Sequence, residues 1–70
     1  MGIVLSYHAK KRLIERGIKM QDVKETVEIP DYTISKANKK EAYKKIKDKT
    51  LKVVYSEEDK YIKVITLILK

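Results

Sequence analysis

Read for its apolar and polar positions, the chain changes period once, at Pro30. Before Pro30 the apolar residues recur at three and four: Ala9 and Leu13 with Ile14 beside them, then Met20, Val23 and Val27 on an otherwise charged segment. Side chains so spaced share one face of a helix. The spacing therefore predicts helices over about Tyr7–Arg16 and Met20–Glu28. Both ends of the first are marked. Ser6 is a good N-cap, because its hydroxyl can accept from an orphan N–H of the first turn. Gly17 suits the left-handed position just past the helix end, with Ile18 supplying the apolar contact that follows it. Asp22 complements the dipole of the second helix. Pro30 stops that helix and biases Ile29 away from helical geometry. The short Gly17–Lys19 link makes the two helices a hairpin or corner.

After Pro30 the period is two. Tyr32-Thr33-Ile34-Ser35 is β-rich, and a turn falls around Asn38. Ala42–Lys47 reads as a strand, although its lysines would also suit a helix. Asp48-Lys49-Thr50 is the next turn, and Leu51, Val53 and Tyr55 then alternate with Lys52, Val54 and Ser56. Core packing is the role this alternation gives Tyr55. An acidic turn, Glu57-Glu58-Asp59, precedes a last strand over Lys60–Leu69. Short polar gaps favour an antiparallel meander. The expected fold is α+β, one domain over residues 1–70, with two N-terminal helices packed on a four-stranded antiparallel β-meander. Gly2–Leu5 is left as a short strand or a packed extension. Alternation along the last strand puts Ile65, Leu67 and Leu69 on one face and Ile62, Val64 and Ile68 on the other. A strand apolar on both faces is normally covered on both; the helices can cover one, so the set that faces away from them predicts a homodimer through the sheet face, or a protein partner.

Charge sharpens this picture. The net charge of +7 is uneven: residues 1–20 carry five cations against one acid, and residues 36–52 carry eight lysines against two acids. Residues 21–35 are acidic, and residues 53–70 balance. Two basic blocks suit a polyanionic partner, although a lysine-rich surface also serves simply to solvate a small domain. With no cysteine in the chain, disulfides and thiolate metal sites are excluded, and a cytoplasmic protein is expected. Gly2–Leu5 is too short for a signal segment, and no apolar run approaches membrane-spanning length.

The chemistry-bearing residues concentrate on the first helix. His8, Arg12 and Arg16 step by four, so the only histidine and both arginines stand in one row, with Lys11 on its flank. Arginine offers a planar fork suited to phosphate or carboxylate. Metal-free RNA cleavage needs a base for the 2′-OH, cations for the pentavalent phosphorane and an acid for the leaving oxygen. His8 can titrate near neutrality, and Arg12 and Arg16 can clamp a phosphate. Lys44, Lys45 and Lys47 can add charge from the sheet, and Tyr43 can stack a base. Each has a plainer alternative, a structural histidine above all. One histidine and scattered acids give no metal-ligand cluster. Two glycines leave no phosphate-cradling loop, so no cofactor is expected.

The run His8-Ala9-x-x-Arg12-x-x-x-Arg16-Gly17-Ile18, then Val23, Pro30 and a strand ending Lys63-Val64-Ile65-Thr66-Leu67, closely resembles a small prokaryotic domain family of unknown function. Its hallmark is a "HAxxRxxxRGI" helix ahead of a β-meander. That family looks related to RelE-like and BrnT-like ribonuclease toxins. The resemblance implies a metal-independent endoribonuclease of a toxin–antitoxin pair, acting on single-stranded RNA and neutralised by an acidic antitoxin protein. His8, Arg12 and Arg16 would be catalytic, and Lys11, Tyr43, Lys44, Lys45 and Lys47 would bind RNA. Lys19 departs from the family pattern, standing where a Ser or Thr cap is usual.

Overall fold

The structure is a computed structural model and describes residues 2–70. Helix α1 spans Tyr7–Glu15 and α2 spans Met20–Glu28. Ser6 is extended, and its hydroxyl accepts from the Ala9 N–H at 3.0 Å. At the other end Gly17 is left-handed, with φ +62°. The Ile18 N–H reaches the Leu13 carbonyl at 2.9 Å and the Gly17 N–H reaches Ile14 at 3.3 Å. These are the two bonds of a Schellman motif, and Arg16 is its cap rather than a helical residue. Lys19 makes no side-chain capping bond to α2, so that helix starts without the cap its position offers. Inside α2, Thr26 is fully buried and donates to the Asp22 carbonyl at 2.7 Å, which satisfies a hydroxyl that would otherwise be costly to bury.

The strands are β1 (Gly2–Leu5), β2 (Tyr32–Lys36), β3 (Lys39–Ile46), β4 (Lys49–Glu57) and β5 (Tyr61–Leu69), in the order β1-β5-β4-β3-β2. The four-stranded expectation is corrected to five. β1 joins the sheet by pairing parallel to β5, while the other neighbours are antiparallel. A four-residue apolar segment carries no local sign of its partner, and here the partner is the last strand of the chain. The turn expected at Asp48–Thr50 lies one residue earlier, at Lys47-Asp48, because Lys49 already pairs with Ile46.

The two faces of β5 also differ from strict alternation. Tyr55 is opposite Val64 while its neighbour Val54 is opposite Thr66, so Ile65 is the extra residue of a β-bulge. Beyond it the parity of β5 reverses. Ile62 and Val64 therefore share the helix side with Leu67 and Leu69, and Thr66 and Ile68 face the other way. Val64 and Leu67 are both fully buried. Neither set of strict alternation is formed: Ile62 and Val64 are on the helix side and Ile68 on the other.

α1 lies over β5 and β1, and α2 over β4 and β3, all on one face of the sheet. Between the layers sit Ala9, Ile18, Val23, Val27, Ala42, Leu51, Val53, Tyr55, Val64 and Leu67. Side chains such as Leu51 and Leu67, with no exposure, each contribute about 1.5–3 kcal/mol of burial. The opposite face is left open, and β2 extends past both helices, exposed along its whole length.

Candidate functional site

α1 presents Ala9 and Leu13 to the core, which turns His8, Arg12 and Arg16 toward its flank. His8 and Arg16 are exposed and Arg12 is half-buried. The row spans about 12 Å at 1.5 Å per residue. Among the described residues, the ion pairs are Lys36–Glu41, Lys40–Glu57, Lys44–Asp31 and Lys52–Glu41. None involves His8, Arg12 or Arg16, so neither arginine is consumed in holding the fold together.

At the C-terminal end of the row, Arg16 enters a hollow of about 300 Å³ beneath the β3–β4 turn. Lys47 and Lys49 line it from that turn, Lys19 and Asp22 from the start of α2, and Ile46 and Leu51 from its floor. Arg16 and Lys47, distant in the chain, thus share one basic hollow. Lys47 stands in the two-residue β3–β4 turn with a left-handed backbone, φ 59°.

The other residues expected to act with them are dispersed. Lys11 is exposed on α1. Lys44 faces the helix side, where its ammonium donates to the Ile29 carbonyl at 3.0 Å and lies 4.0 Å from Asp31. It closes the end of α2, a structural task. The Asp31 carboxylate accepts from the Lys45 backbone N–H at 2.8 Å; the Lys45 side chain lies on the open face and takes part in none of these ion pairs. Tyr43 is also on the open face, opposite α1. Its ring stacks on Tyr32 at a 4.5 Å centroid separation and 12° between planes.

Around Tyr43 a small network forms. Its hydroxyl donates to Glu41 at 3.2 Å, and the Lys52 ammonium lies 5.6 Å from its ring centroid. Burial alone would raise the Glu41 carboxyl. The Tyr43 hydrogen bond and the charges of Lys36 and Lys52 outweigh that, and hold it below its ordinary value. Tyr32 and Lys52 were not among the residues singled out from sequence. The signal was present: counting outward from the Ala37-Asn38 turn pairs Lys36 with Lys39 and hence Tyr32 with Tyr43. Among the described residues, no three His, Cys, Asp or Glu side chains gather as a metal-holding group. Among the described residues, no helix is long and apolar enough to cross a membrane.

Fold and surface define a small basic α+β domain with two helices on one face of a five-stranded sheet. A family model, Domain of unknown function (DUF4258), matches residues 5–68, and the chain belongs to that family. No curated protein and no solved structure matches it.

Proposed function

We propose that this domain is a metal-independent endoribonuclease of the toxin kind, cutting single-stranded RNA from the α1 surface. The observation that carries the reading is the row of His8, Arg12 and Arg16 on α1, in which no member has an ion-pair partner among the described residues. Arginines that do not hold the fold are available to an anion. In this reading His8 takes the proton of a ribose 2′-OH. The 2′-oxygen attacks the adjacent phosphorus, the bond to the 5′-oxygen breaks, that oxygen leaves as a hydroxyl by taking a proton from solvent water, and a 2′,3′-cyclic phosphate is left. Arg12 and Arg16 carry the added negative charge of the phosphorane, with Lys47 extending the cationic surface from the neighbouring turn. An acidic antitoxin protein laid over α1 would neutralise the same row. What supports this reading is the resemblance of the HAxxRxxxRGI family to RelE-like and BrnT-like toxins, which share two helices ahead of an antiparallel sheet.

The test is cleavage of a long single-stranded RNA with EDTA present, alongside a thermal melt of each variant. His8→Ala is expected to lose about 10²–10⁴-fold in rate while keeping its fold and RNA affinity. Arg12→Ala should weaken both cleavage and binding. A His8→Ala protein that cleaves at the wild-type rate removes His8 from the chemistry. A wild type that binds RNA without cutting it leaves the second reading, a non-catalytic RNA- or protein-binding domain that uses the same basic surface. The tyrosine stack on the open face favours that second reading.

A further inference from the structure

One row of the open face runs across four strands: Tyr32 on β2, Tyr43 on β3, Lys52 on β4 and Ile68 on β5. Tyr43 is enclosed within it. One side of its ring meets Tyr32 and the other approaches Lys52. Tyr32 is different. It stands on the edge strand and remains 55% exposed, so the stack ends in a ring with one side open to solvent. A cross-strand aromatic pair stabilises a hairpin by itself, but the surroundings go further. The next row brings Lys45, Thr50 and Lys70 side by side. Together with Tyr43 and Lys52, Thr50 and Lys70 border a hollow of about 150 Å³. Two acids lie in this neighbourhood: Glu41 is 14% exposed and lies 3.6 Å from Lys36 and 3.7 Å from Lys52, and Asp31, beside Tyr32, lies 4.0 Å from Lys44 and accepts from the Lys45 backbone N–H. The charge left over beside the stack is therefore positive, carried by Lys45 and Lys70.

An open π-face beside unpaired cations is the combination that single-stranded nucleic acids use. Bases stack on aromatic rings largely without regard to sequence, and the phosphates track a basic surface. We propose that the open sheet face is a binding platform for single-stranded RNA, with one base stacked on the outer side of Tyr32 and the adjoining phosphates on Lys45 and Lys70. This rests on RNA being the ligand, as proposed above, and not on cleavage. The platform lies on the opposite side of the sheet from α1, so it holds the strand apart from the His8 row.

The test measures fluorescence anisotropy of a short fluorescein-labelled oligouridylate, in the His8→Ala background so that the probe stays intact. Tyr32→Ala and Tyr32→Leu should weaken binding about 5–150-fold, the range of one lost base stack. Tyr32→Phe, which keeps the ring, should bind like the parent. Tyr7→Ala, which removes an 84% exposed tyrosine from α1, should also bind like the parent. Intrinsic tyrosine fluorescence should fall on binding, and fall less in Tyr32→Leu. Thermal melts separate a lost contact from a loosened hairpin, because Tyr32→Leu keeps apolar contact with Tyr43. Unchanged affinity in Tyr32→Leu overturns the platform, as does competition by polyglutamate equal to that by unlabelled RNA. Tyr32-dependent binding without cleavage by the wild type keeps the platform and removes the ribonuclease. His8-dependent cleavage with Tyr32-independent binding does the reverse.

Discussion

Ser6 donates its hydroxyl hydrogen to the carbonyl of Ile65 at 2.7 Å while accepting from the Ala9 N–H at 3.0 Å. The Ser6 N–H adds a bond to the Val64 carbonyl at 2.9 Å. One residue thus joins the start of α1 to the bulge of β5. That bulge turns Ile62, Val64, Leu67 and Leu69 all toward the helices, so the cap and the core are coupled through it.

Ser6→Ala removes the cap, worth about 0.5–2 kcal/mol, and the bond to Ile65, worth about 0.5–1.5 kcal/mol. Together these predict a fall in melting temperature on the order of 10 °C for a domain of this size. Thr should restore both bonds. Asp can accept from Ala9 but, ionised, cannot donate to Ile65, so Ser6→Asp should recover the cap alone and melt between Ala and wild type. Thermal melts of the three variants check the order. An Asp variant as stable as wild type would mean that the bond to the bulge contributes nothing.

Two turn positions predict opposite changes. Gly17 is left-handed and a Cβ there would meet nothing within 4 Å, so Gly17→Ala costs about 1–2 kcal/mol of backbone strain, offset by about 0.4–1 kcal/mol from a stiffer unfolded chain. Ala37 is left-handed too, with φ 49°. Ala37→Gly relieves about 1–2 kcal/mol of strain and costs about 0.4–1 kcal/mol through a freer unfolded chain. A net gain of about 0.5–1 kcal/mol follows. Urea unfolding of the pair should move the midpoints in opposite directions.

These residues also show what was legible in the sequence. Ser6 and Gly17 could be read because capping is local: partners lie within a turn. The bounds of α2 follow from Pro30 and the apolar spacing for the same reason. The bulge at Ile65 could not be read, because a parity change is visible only against the opposite strand. Reading alternation straight through it set Val64 on the wrong face. β1 was underdetermined because its partner is β5, at the far end of the chain. Within the candidate site, helical spacing placed His8, Arg12 and Arg16 in one row, but nothing local distinguished Lys44, which closes α2, from Lys45, which is free. Tyr43 needed the hairpin register to find Tyr32.

The ionisable groups set a pH window for stability. Glu41 is held below its ordinary value of 4.5. A depressed carboxyl contributes stability that is present above that value and lost as pH falls through the folded-state one. Tyr55 is raised above its ordinary 10.0 chiefly by burial, and Lys40 above its 10.5 by its hydrogen bond to Glu57. For raised groups the stability is fully present below the unfolded value and lost as pH rises through the higher folded-state one. Stability should therefore be flat at neutral pH, fall in acid below about 4.5 and fall in alkali above about 10. Glu41→Gln should flatten the acid limb of a pH-resolved melt, and Tyr55→Phe the alkaline limb.

The last prediction separates cations that meet RNA from cations that hold the fold. Log affinity for a single strand falls with log salt at about −0.7 per phosphate neutralised. Arg16 and Lys47 converge on one hollow and pair with no acid among the described residues. If each meets a phosphate, Arg16→Gln with Lys47→Gln should reduce the salt slope by about 1.4. Lys44 has similar charge and neighbouring sequence but is bound to the Ile29 carbonyl and Asp31. Lys44→Gln should lower the melting temperature, through a loosened end of α2, and leave the slope unchanged. Salt-titrated anisotropy beside thermal melts reads both quantities. A Lys44→Gln slope shallower by about 0.7 with an unchanged melt would make Lys44 an RNA contact after all. An unaltered slope in the Arg16/Lys47 double variant would move the phosphate contacts away from that hollow.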